Sequence, residues 1–167
     1  MNPNQQLIEE FYAGFAAHNP KTMASCYHKD IIFEDPAFGI LKGNDVADMW
    51  EMLIEKSKGN LKIEFSEVNA DSDTGSAQWI ATYHFSKTNR KVVNVITAQF
   101  EFKDGLIISH TDYFNIWKWT RQALGFSGLL LGWTGFLQEK IRKQAIHSLR
   151  VFQEKKLHRD AQRQLED

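Results

Sequence analysis

The change in the spacing of apolar residues near residue 60 constrains the fold of this chain more than any other feature. Before it, apolar residues recur every three or four positions over 5–18 and 44–58, as on the buried face of an amphipathic helix. A shorter helix and a short apolar strand lie between these two segments. From 61 to 116 apolar and polar residues alternate between turn sequences, which is typical of hairpin-connected strands. This order predicts an α+β fold in which a curved antiparallel sheet forms a cone around three N-terminal helices.

The last fifty residues follow neither pattern for long. We therefore predict one cone domain over 1–117 and a C-terminal helical extension over 118–167 that packs on the domain or on a dimer partner. The apolar residues of the extension would invite aggregation if they stayed in water, so 125–152 is expected to fold back onto protein. The side chains expected to face protein are Leu137, Ile141 and Leu149.

Residues 125–137 of this extension have three interpretations. They form a connector packed over the open end of the cone, or a lid whose apolar side chains close a pocket. Together with the basic helix over 140–156, they could instead lie at a membrane surface. The side chains of the lid would be Leu129, Leu130, Leu131 and Trp133.

Composition and charge argue against several classes of function. The chain carries 20 basic and 21 acidic residues, which gives no electrostatic case for nucleic-acid binding. Cys26 is the single cysteine, which excludes an intrachain disulfide, and the histidines lack metal-ligand spacing. The apolar stretch over 123–137 is short for a membrane span and contains four glycines. The polar N-terminus lacks the apolar core of an export signal, so we expect a cytoplasmic protein. We also expect no cofactor and, because of the histidine spacing, no metal.

Two carboxylates lie among apolar and aromatic residues. Asp35 is in the sequence Phe-Glu-Asp-Pro, and Asp112 is in His-Thr-Asp-Tyr-Phe near the end of the strand region. An apolar environment raises the pKa of a carboxyl group, which lets it exchange protons near neutral pH. Asp35, Asp112 and His110 are therefore the candidate catalytic residues. The alternatives are that Asp35 only forms a turn before proline, that Asp112 is a structural carboxylate and that His110 is a structural histidine of the sheet.

The aromatic content, 13% of the chain, predicts large rings that line a concave pocket as well as build the core. Alternation along the last strand places His110, Asp112 and Phe114 on one face. Each aromatic residue taken alone is more often part of a core, but some of them should line the cone. The candidate ligand-binding residues are Tyr12, Phe15, Trp50, Trp79, Tyr83, Phe100 and Phe114. They indicate a small hydrophobic molecule as the ligand.

The chain resembles a known superfamily over about residues 5–117. The order of its elements is similar to that of nuclear-transport-factor-two-like proteins. This order is two helices, Phe-Glu-Asp-Pro, Gly43, a third helix and four strands that end in Ser-His-Thr-Asp-Tyr-Phe. Within that superfamily the SnoaL-like and ketosteroid-isomerase-like proteins are the most similar. The resemblance implies cofactor-free acid/base catalysis of isomerase, cyclase or lyase type, and a homodimer formed by outer sheet faces. The outer face that would pair here includes Val93, Val95 and Thr97.

The resemblance also limits the reaction. Asp35 falls on the general base of the ketosteroid isomerases. Phe11 and Ala98 fall on their two oxyanion donors, and neither side chain can donate a hydrogen bond. Because loss of a single oxyanion donor costs on the order of 10²–10³ in rate, classical ketosteroid isomerisation is not expected.

Other enzymes of the superfamily allow two further comparisons. His110 and Asp112 resemble the His-x-Asp arrangement of the SnoaL-like cyclases, whose acid/base carboxylate lies on the last strand. The epoxide hydrolases need an Asp-Arg-Asp relay, and residues 92–102 contain no arginine. Two functions stay open: an enzyme that uses Asp35 or Asp112, and a non-catalytic ligand-binding or dimeric interaction module.

Overall fold

A computed structural model describes residues 2–132 and 134–166 of the chain. Its helices are α1 (Pro3–Ala16), α2 (Pro20–Ser25), α3 (Asn44–Ser57), α4 (Ile116–Leu124), α5 (Phe126–Leu131) and α6 (Gly135–Glu166). Its strands are β1 (Tyr27–Asp35), β2 (Gly39–Lys42), β3 (Lys62–Ala70), β4 (Thr74–His84), β5 (Lys91–Lys103) and β6 (Leu106–Tyr113). Proline starts both α1 and α2, where its missing N–H costs nothing, and the side chains of Asn2 and Asn19 cap these helices.

The six strands form one curved, unclosed sheet in the order β2-β1-β6-β5-β4-β3. Neighbouring strands are antiparallel except for β1 and β6, which run parallel. The predicted α+β fold with a curved sheet is confirmed, but the sheet is mixed rather than antiparallel throughout. A parallel pair needs a long crossover, and here α3 and four strands lie between β1 and β6.

Two elements differ from the expectation. The sequence pattern does not predict β2, because Pro36 and Gly39 indicate a break. The break is a hairpin turn: Gly39 pairs with Asp35 and adopts a left-handed φ of 70°, which lets the chain return along β1. The pattern also predicts a last strand that continues to residue 117, but a helix begins before that. The Asn115 side chain accepts a hydrogen bond from the Lys118 N–H and caps α4.

The core lies between α1, α3 and the inner face of the sheet, which is the face that carries the buried strand residues. The spacing of three or four residues puts the buried side chains of each helix on one side. Those side chains are Ile8, Phe11, Tyr12 and Phe15 in α1 and Val46, Met49 and Trp50 in α3, and Met52 of α3 is buried beside them. The inner face contributes Ala77, Trp79, Ala81, Ile96, Ala98 and Phe100. Polar groups on the inner face of β6 are therefore surrounded by apolar and aromatic side chains.

Helix α4 closes the part of β5 that β6 leaves unpaired. The ladder between β5 and β6 ends at Thr97, so the first residues of β5 have no strand on that side. There the Gln122 side chain donates to the Val93 carbonyl at 3.1 Å and accepts from the Val93 N–H at 2.9 Å. Arg90 donates in turn to the Gln122 carbonyl at 2.9 Å, near the C-terminal end of α4, where carbonyls lack helical partners. These contacts attach α4 to the sheet.

The second half of α6 packs on α3. Leu149 is fully buried and Phe152 nearly so, while Leu137 and Ile141 are only partly buried. In the ion pairs between α6 and α3, the residue numbers increase together along both helices, so the two helices run parallel. The ion pairs beside this contact are Arg150–Asp45 at 2.9 Å, Lys156–Asp48 at 2.8 Å, Lys156–Glu51 at 2.6 Å and Arg159–Glu55 at 3.2 Å. This half of the extension therefore lies against its own chain.

The helix α5 and the first turn of α6 leave large apolar side chains at the surface. Phe126 is 75% exposed and Phe136 is 80% exposed. Leu129, Leu130 and Leu131 are each about half exposed, and Trp133 lies outside the described residues. The chain's own domain does not cover this part of 125–152, so its burial against a partner stays a prediction. Within 2–132 and 134–166, no helix combines the length and apolar character that crossing a bilayer requires.

Candidate functional site

His110 and Asp112 lie side by side on the inner face of β6 and are hydrogen-bonded to each other. Asp112 is 3% exposed and His110 is 0% exposed. His110 Nε2 is 3.0 Å from Asp112 Oδ1, and the Nε1–H of Trp79 donates to the same oxygen at 3.2 Å. The two nitrogens compensate this carboxylate for the water it loses on burial.

Hydrogen bonds continue from His110 to α3. The Trp50 indole can only donate, so its Nε1–H donates to the Tyr27 hydroxyl oxygen at 2.9 Å. Tyr27 can then donate its own proton to His110 Nδ1, which is 2.7 Å away. This assigns the imidazole proton to Nε2, which donates it to Asp112. We call Trp50, Tyr27, His110, Asp112 and Trp79 the buried polar chain.

Tyr12 brings a further hydroxyl to this interior. Its side chain is completely buried, and its hydroxyl has no hydrogen-bond partner in the described part of the chain. Burial raises the pKa of Tyr12 well above its ordinary value, and the negative charge of Asp112 raises it further. Tyr12 therefore keeps its proton. Leaving such a group unpaired costs about 1–3 kcal/mol, which a ligand oxygen could recover.

Asp35 lies at the end of β1 and is partly exposed. Its Oδ1 accepts hydrogen bonds from the N–H groups of Ala37 at 2.9 Å and Phe38 at 2.6 Å. Burial nevertheless raises the pKa of Asp35 from 3.8 to about 7. The charge of Asp112 adds to this rise, and Arg142 opposes it. Asp35 therefore forms a turn, as one interpretation of the sequence suggested, and also has a pKa suited to proton exchange near neutral pH.

The C-terminal extension contributes two side chains near Asp35. Trp119 in α4 donates through Nε1 to the Tyr83 hydroxyl at 2.7 Å. Burial raises the pKa of Tyr83, and the negative charge of Asp35 adds to the rise. Arg142 in α6 crosses Gly39, where a Cβ atom would lie 3.2 Å from its side chain. Sequence reasoning missed Trp119 and Arg142; the apolar face of α4 was a signal for the first, and none identified the second.

The predicted ligand-binding side chains fall into two groups. Tyr83 and Phe114 are partly exposed. Five are buried in the core: Tyr12, Phe15, Trp50, Trp79 and Phe100. Two surface depressions, of about 680 and 320 Å³, are lined by neither Asp35 nor Asp112. The candidate catalytic residues are thus connected by a hydrogen bond and by charge, while an open cavity that contains all of them stays a prediction.

Other reactive groups add little to this site. Burial raises the pKa of Cys26 to about 12, so its thiol stays protonated and unreactive at neutral pH. Across the described ranges, no cluster of three or more His, Cys, Asp or Glu side chains could hold a metal ion. The chemistry that the interior offers therefore rests on Asp35, Tyr12 and the buried polar chain.

The pKa of Asp35 predicts a pH dependence of stability. It is about 7 in the folded protein and near the ordinary 3.8 in the unfolded chain. Between these values the folded state holds a proton that the unfolded state has lost. The resulting stabilisation is complete below about pH 4 and is lost as the pH rises through about 7. We expect Asp35→Asn to flatten this slope, measured by chemical denaturation between about pH 5 and about pH 8.

The matched control for this measurement is Asp30→Asn. Asp30 is in the same strand, but its side chain is 64% exposed. Its replacement should change the slope less than Asp35→Asn does, although Asp30 Oδ2 lies 3.7 Å from His28 Nδ1. A ¹³C titration of the Asp35 carboxyl carbon gives the pKa directly. A midpoint near the ordinary value, or identical slopes in wild type and Asp35→Asn, would contradict the assignment.

The fold is that of a small α+β domain of the nuclear-transport-factor-two-like superfamily. A family model for the SnoaL-like domain matches residues 8–110, more than half of the chain. The protein therefore belongs to the SnoaL-like domain family. No curated protein sequence matches the chain.

Three solved structures illustrate the likeness. A provisionally assigned polyketide cyclase from Xanthomonas campestris pv. campestris is 16% identical over 72% of this chain and 96% of its own, with a TM-score of 0.59. TerC, co-crystallised with polyporic acid, is 16% identical over 68% and 92%, with a TM-score of 0.59. A protein with a ketosteroid isomerase-like fold from Catenulispora acidiphila DSM 44928, in complex with trimethylamine, is 12% identical over 70% and 91%, with a TM-score of 0.57. At these identities the likeness shows the fold alone.

Proposed function

We propose that the protein binds a small hydrophobic molecule beside Asp35 and acts on it by cofactor-free acid/base catalysis of isomerase, cyclase or lyase type. The observation that carries this proposal is the raised pKa, about 7, of the Asp35 carboxyl group, in a residue that is partly exposed at the end of β1. At neutral pH both protonation states of such a group are populated. Asp35 can therefore take a proton from one atom of a ligand and return it to another.

Asp35, rather than Asp112, is the proposed catalytic carboxyl group. Asp112 and His110 are almost inaccessible and are already hydrogen-bonded to each other. They act as positioning residues, because the negative charge of Asp112 helps to keep the pKa of Asp35 high. The buried polar chain holds Asp112 in place for this role. His110 and Asp112 thus act less directly than the resemblance implied.

The surroundings of Asp35 favour an apolar ligand that carries a carbonyl or hydroxyl oxygen. Tyr83, Phe114 and Trp119 are partly exposed rings that offer apolar contact. Deeper in the domain, the protonated Tyr12 hydroxyl, which has no partner among the described residues, could donate a hydrogen bond to a ligand oxygen. The co-crystals of TerC with polyporic acid and of the Catenulispora protein with trimethylamine support small-molecule binding by this fold.

Non-catalytic ligand binding is the second candidate function. The observation that favours it is the dense packing of the interior: Trp50 lies against Phe15, Phe33 and His110 with ring centroids 5.0–6.0 Å apart. A ligand held only at the surface near Asp35 would not reach the buried polar chain. Pairing of two copies is also proposed, through the exposed Val93 and Val95 on the outer face of β5.

Deuterium exchange tests the catalytic proposal without knowledge of the natural substrate. A panel of apolar cyclic ketones is incubated with the protein in D₂O, and deuterium uptake at the carbon next to the carbonyl is followed by NMR. We expect uptake with wild type and Asp30→Asn, and uptake slowed by roughly 10²–10⁴ with Asp35→Asn, because that variant removes the general base. The same spectra report binding through shifts of the ¹³C-labelled carboxyl carbons.

The outcomes separate the candidate functions. Exchange that is equally fast in all three proteins would reject Asp35 as the base. Shifts of the Asp35 signal without any exchange, over a broad ketone panel, would favour a binding module. A solution mass equal to one chain would reject the homodimer.

A further inference from the structure

One end of the molecule combines exposed apolar side chains on two consecutive helices. We call Phe126, Leu129, Leu130, Leu131 and Phe136 the apolar tip. Its two phenylalanines are the most exposed members, and its three leucines are each about half exposed. Large exposed apolar side chains concentrated in this way on two consecutive helices mark an interaction site. The chain around the tip indicates which partner it fits.

The charge around the apolar tip differs from that of the rest of the protein. Residues 116–149 contain five basic side chains and one acidic one, whereas the remaining residues contain 15 basic and 20 acidic ones. The five cations are Lys118, Arg121, Lys140, Arg142 and Lys143. The one acidic residue, Glu139, pairs with Lys143 at 2.9 Å, which leaves this region strongly positive. Apolar side chains and positive charge are therefore concentrated in the same part of an otherwise acidic molecule.

Contacts within this region bring cations and apolar rings together. A surface depression of about 320 Å³ on α6 is lined by Phe136, Lys140 and Lys143 together with polar side chains. On α4 the Arg121 guanidinium lies 5.0 Å from the centre of the Trp117 ring, whose Nε1–H donates to the Leu129 carbonyl at 3.4 Å. On both α4 and α6, cations thus lie beside aromatic rings.

We propose that the apolar tip inserts into the headgroup region of an anionic lipid bilayer, with the surrounding lysines and arginines on the lipid phosphates. Helices that lie at a membrane surface combine Phe, Trp and Leu with flanking Lys and Arg in this way. Helix α5 has only six residues, so the contact reaches the interface and does not span the bilayer. The membrane interaction does not depend on whether the Asp35 site is catalytic.

A second copy of the chain is the less suitable occupant. A two-fold contact through the apolar tip would bring the positive regions of both copies together, and like charges at close range oppose association. The acidic face of α3 cannot compensate, because Asp45, Asp48 and Glu51 are already paired with α6 of the same chain.

Vesicle co-sedimentation tests the proposal on the full chain. Binding is compared between phosphatidylcholine vesicles and vesicles with about 30% phosphatidylglycerol, at about 0.1 M and about 0.5 M NaCl. We expect binding to the anionic vesicles that is weakened by salt. The double variant Phe126→Ser/Phe136→Ser should bind at least about tenfold more weakly, because both rings leave the interface.

The matched control is Leu157→Ser/Leu165→Ser, which removes two largely exposed apolar side chains of α6 outside the apolar tip. It should bind like wild type. Equal binding to both vesicle types, or no binding to the anionic ones, would overturn the proposal. A change from dimer to monomer in Phe126→Ser/Phe136→Ser, measured by light scattering without lipid, would instead assign the apolar tip to a second copy.

Discussion

Leu149→Ala is expected to lower the free energy of unfolding by about 3 kcal/mol, within the range of about 2–5 kcal/mol typical of buried leucines. Leu149 is fully buried although it lies in the C-terminal extension. Its replacement removes apolar contacts and leaves a cavity between α6 and the domain. Chemical denaturation followed by tryptophan fluorescence measures the change.

Leu157→Ala is the control for this prediction. It makes the same chemical change two turns further along α6, where the side chain is 70% exposed, and it should cost less than about 0.5 kcal/mol. If Leu149→Ala also proved neutral, the extension would not contribute to the stability of the domain. The contacts that remain, among them Phe152 and the surface ion pairs with α3, would then be too weak to stabilise it, and surface ion pairs contribute about 0–1 kcal/mol each.

Tyr27→Phe is expected to lower the free energy of unfolding by about 2–4 kcal/mol. The substitution keeps the ring but removes the hydroxyl that serves both the Trp50 Nε1–H and His110 Nδ1. Both nitrogens belong to buried side chains, and each buried group left without a partner costs about 1–3 kcal/mol. The loss of a fixed partner on Nδ1 should also free the His110 tautomer, which ¹⁵N chemical shifts report.

Tyr113→Phe removes a hydroxyl of the same kind from an exposed position at the end of β6. It should change stability by less than about 0.5 kcal/mol. Equal effects of the two substitutions, together with unchanged ¹⁵N shifts of His110, would show that Tyr27 does not direct the buried polar chain.

The helices and strands in which apolar residues recur at a constant spacing over several repeats could be predicted from the sequence. This holds for α1, α3, β4 and β5, each of which buries one regular set of side chains. β2 and the start of α4 could not, because each depends on a few local hydrogen bonds. The turn at Asp35 allows β2 to form, and the Asn115 cap starts α4. Such local bonds change the path of the chain without a periodic signal.

The candidate site was predictable to a similar extent. Asp35 and Asp112 could be singled out because the sequence itself places each beside apolar residues, and alternation put His110 next to Asp112. The other participants depend on contacts between distant parts of the chain. Tyr27 is hydrogen-bonded to His110, 83 positions away, and Trp119 donates a hydrogen bond to Tyr83, 36 positions away. No spacing rule joins such pairs before the sheet order is known.

The Gln122 side chain has a consequence for how the sheet can meet other molecules. A strand end with unpaired N–H and C=O groups is a template on which another chain can continue the ladder. At Val93 both groups are already taken by one side-chain amide, which imitates the peptide group of a neighbouring strand. At this position a foreign strand would have to displace Gln122 before it could pair. This unpaired part of β5 is therefore closed to backbone pairing at Val93, and contacts with other molecules there are directed to side chains.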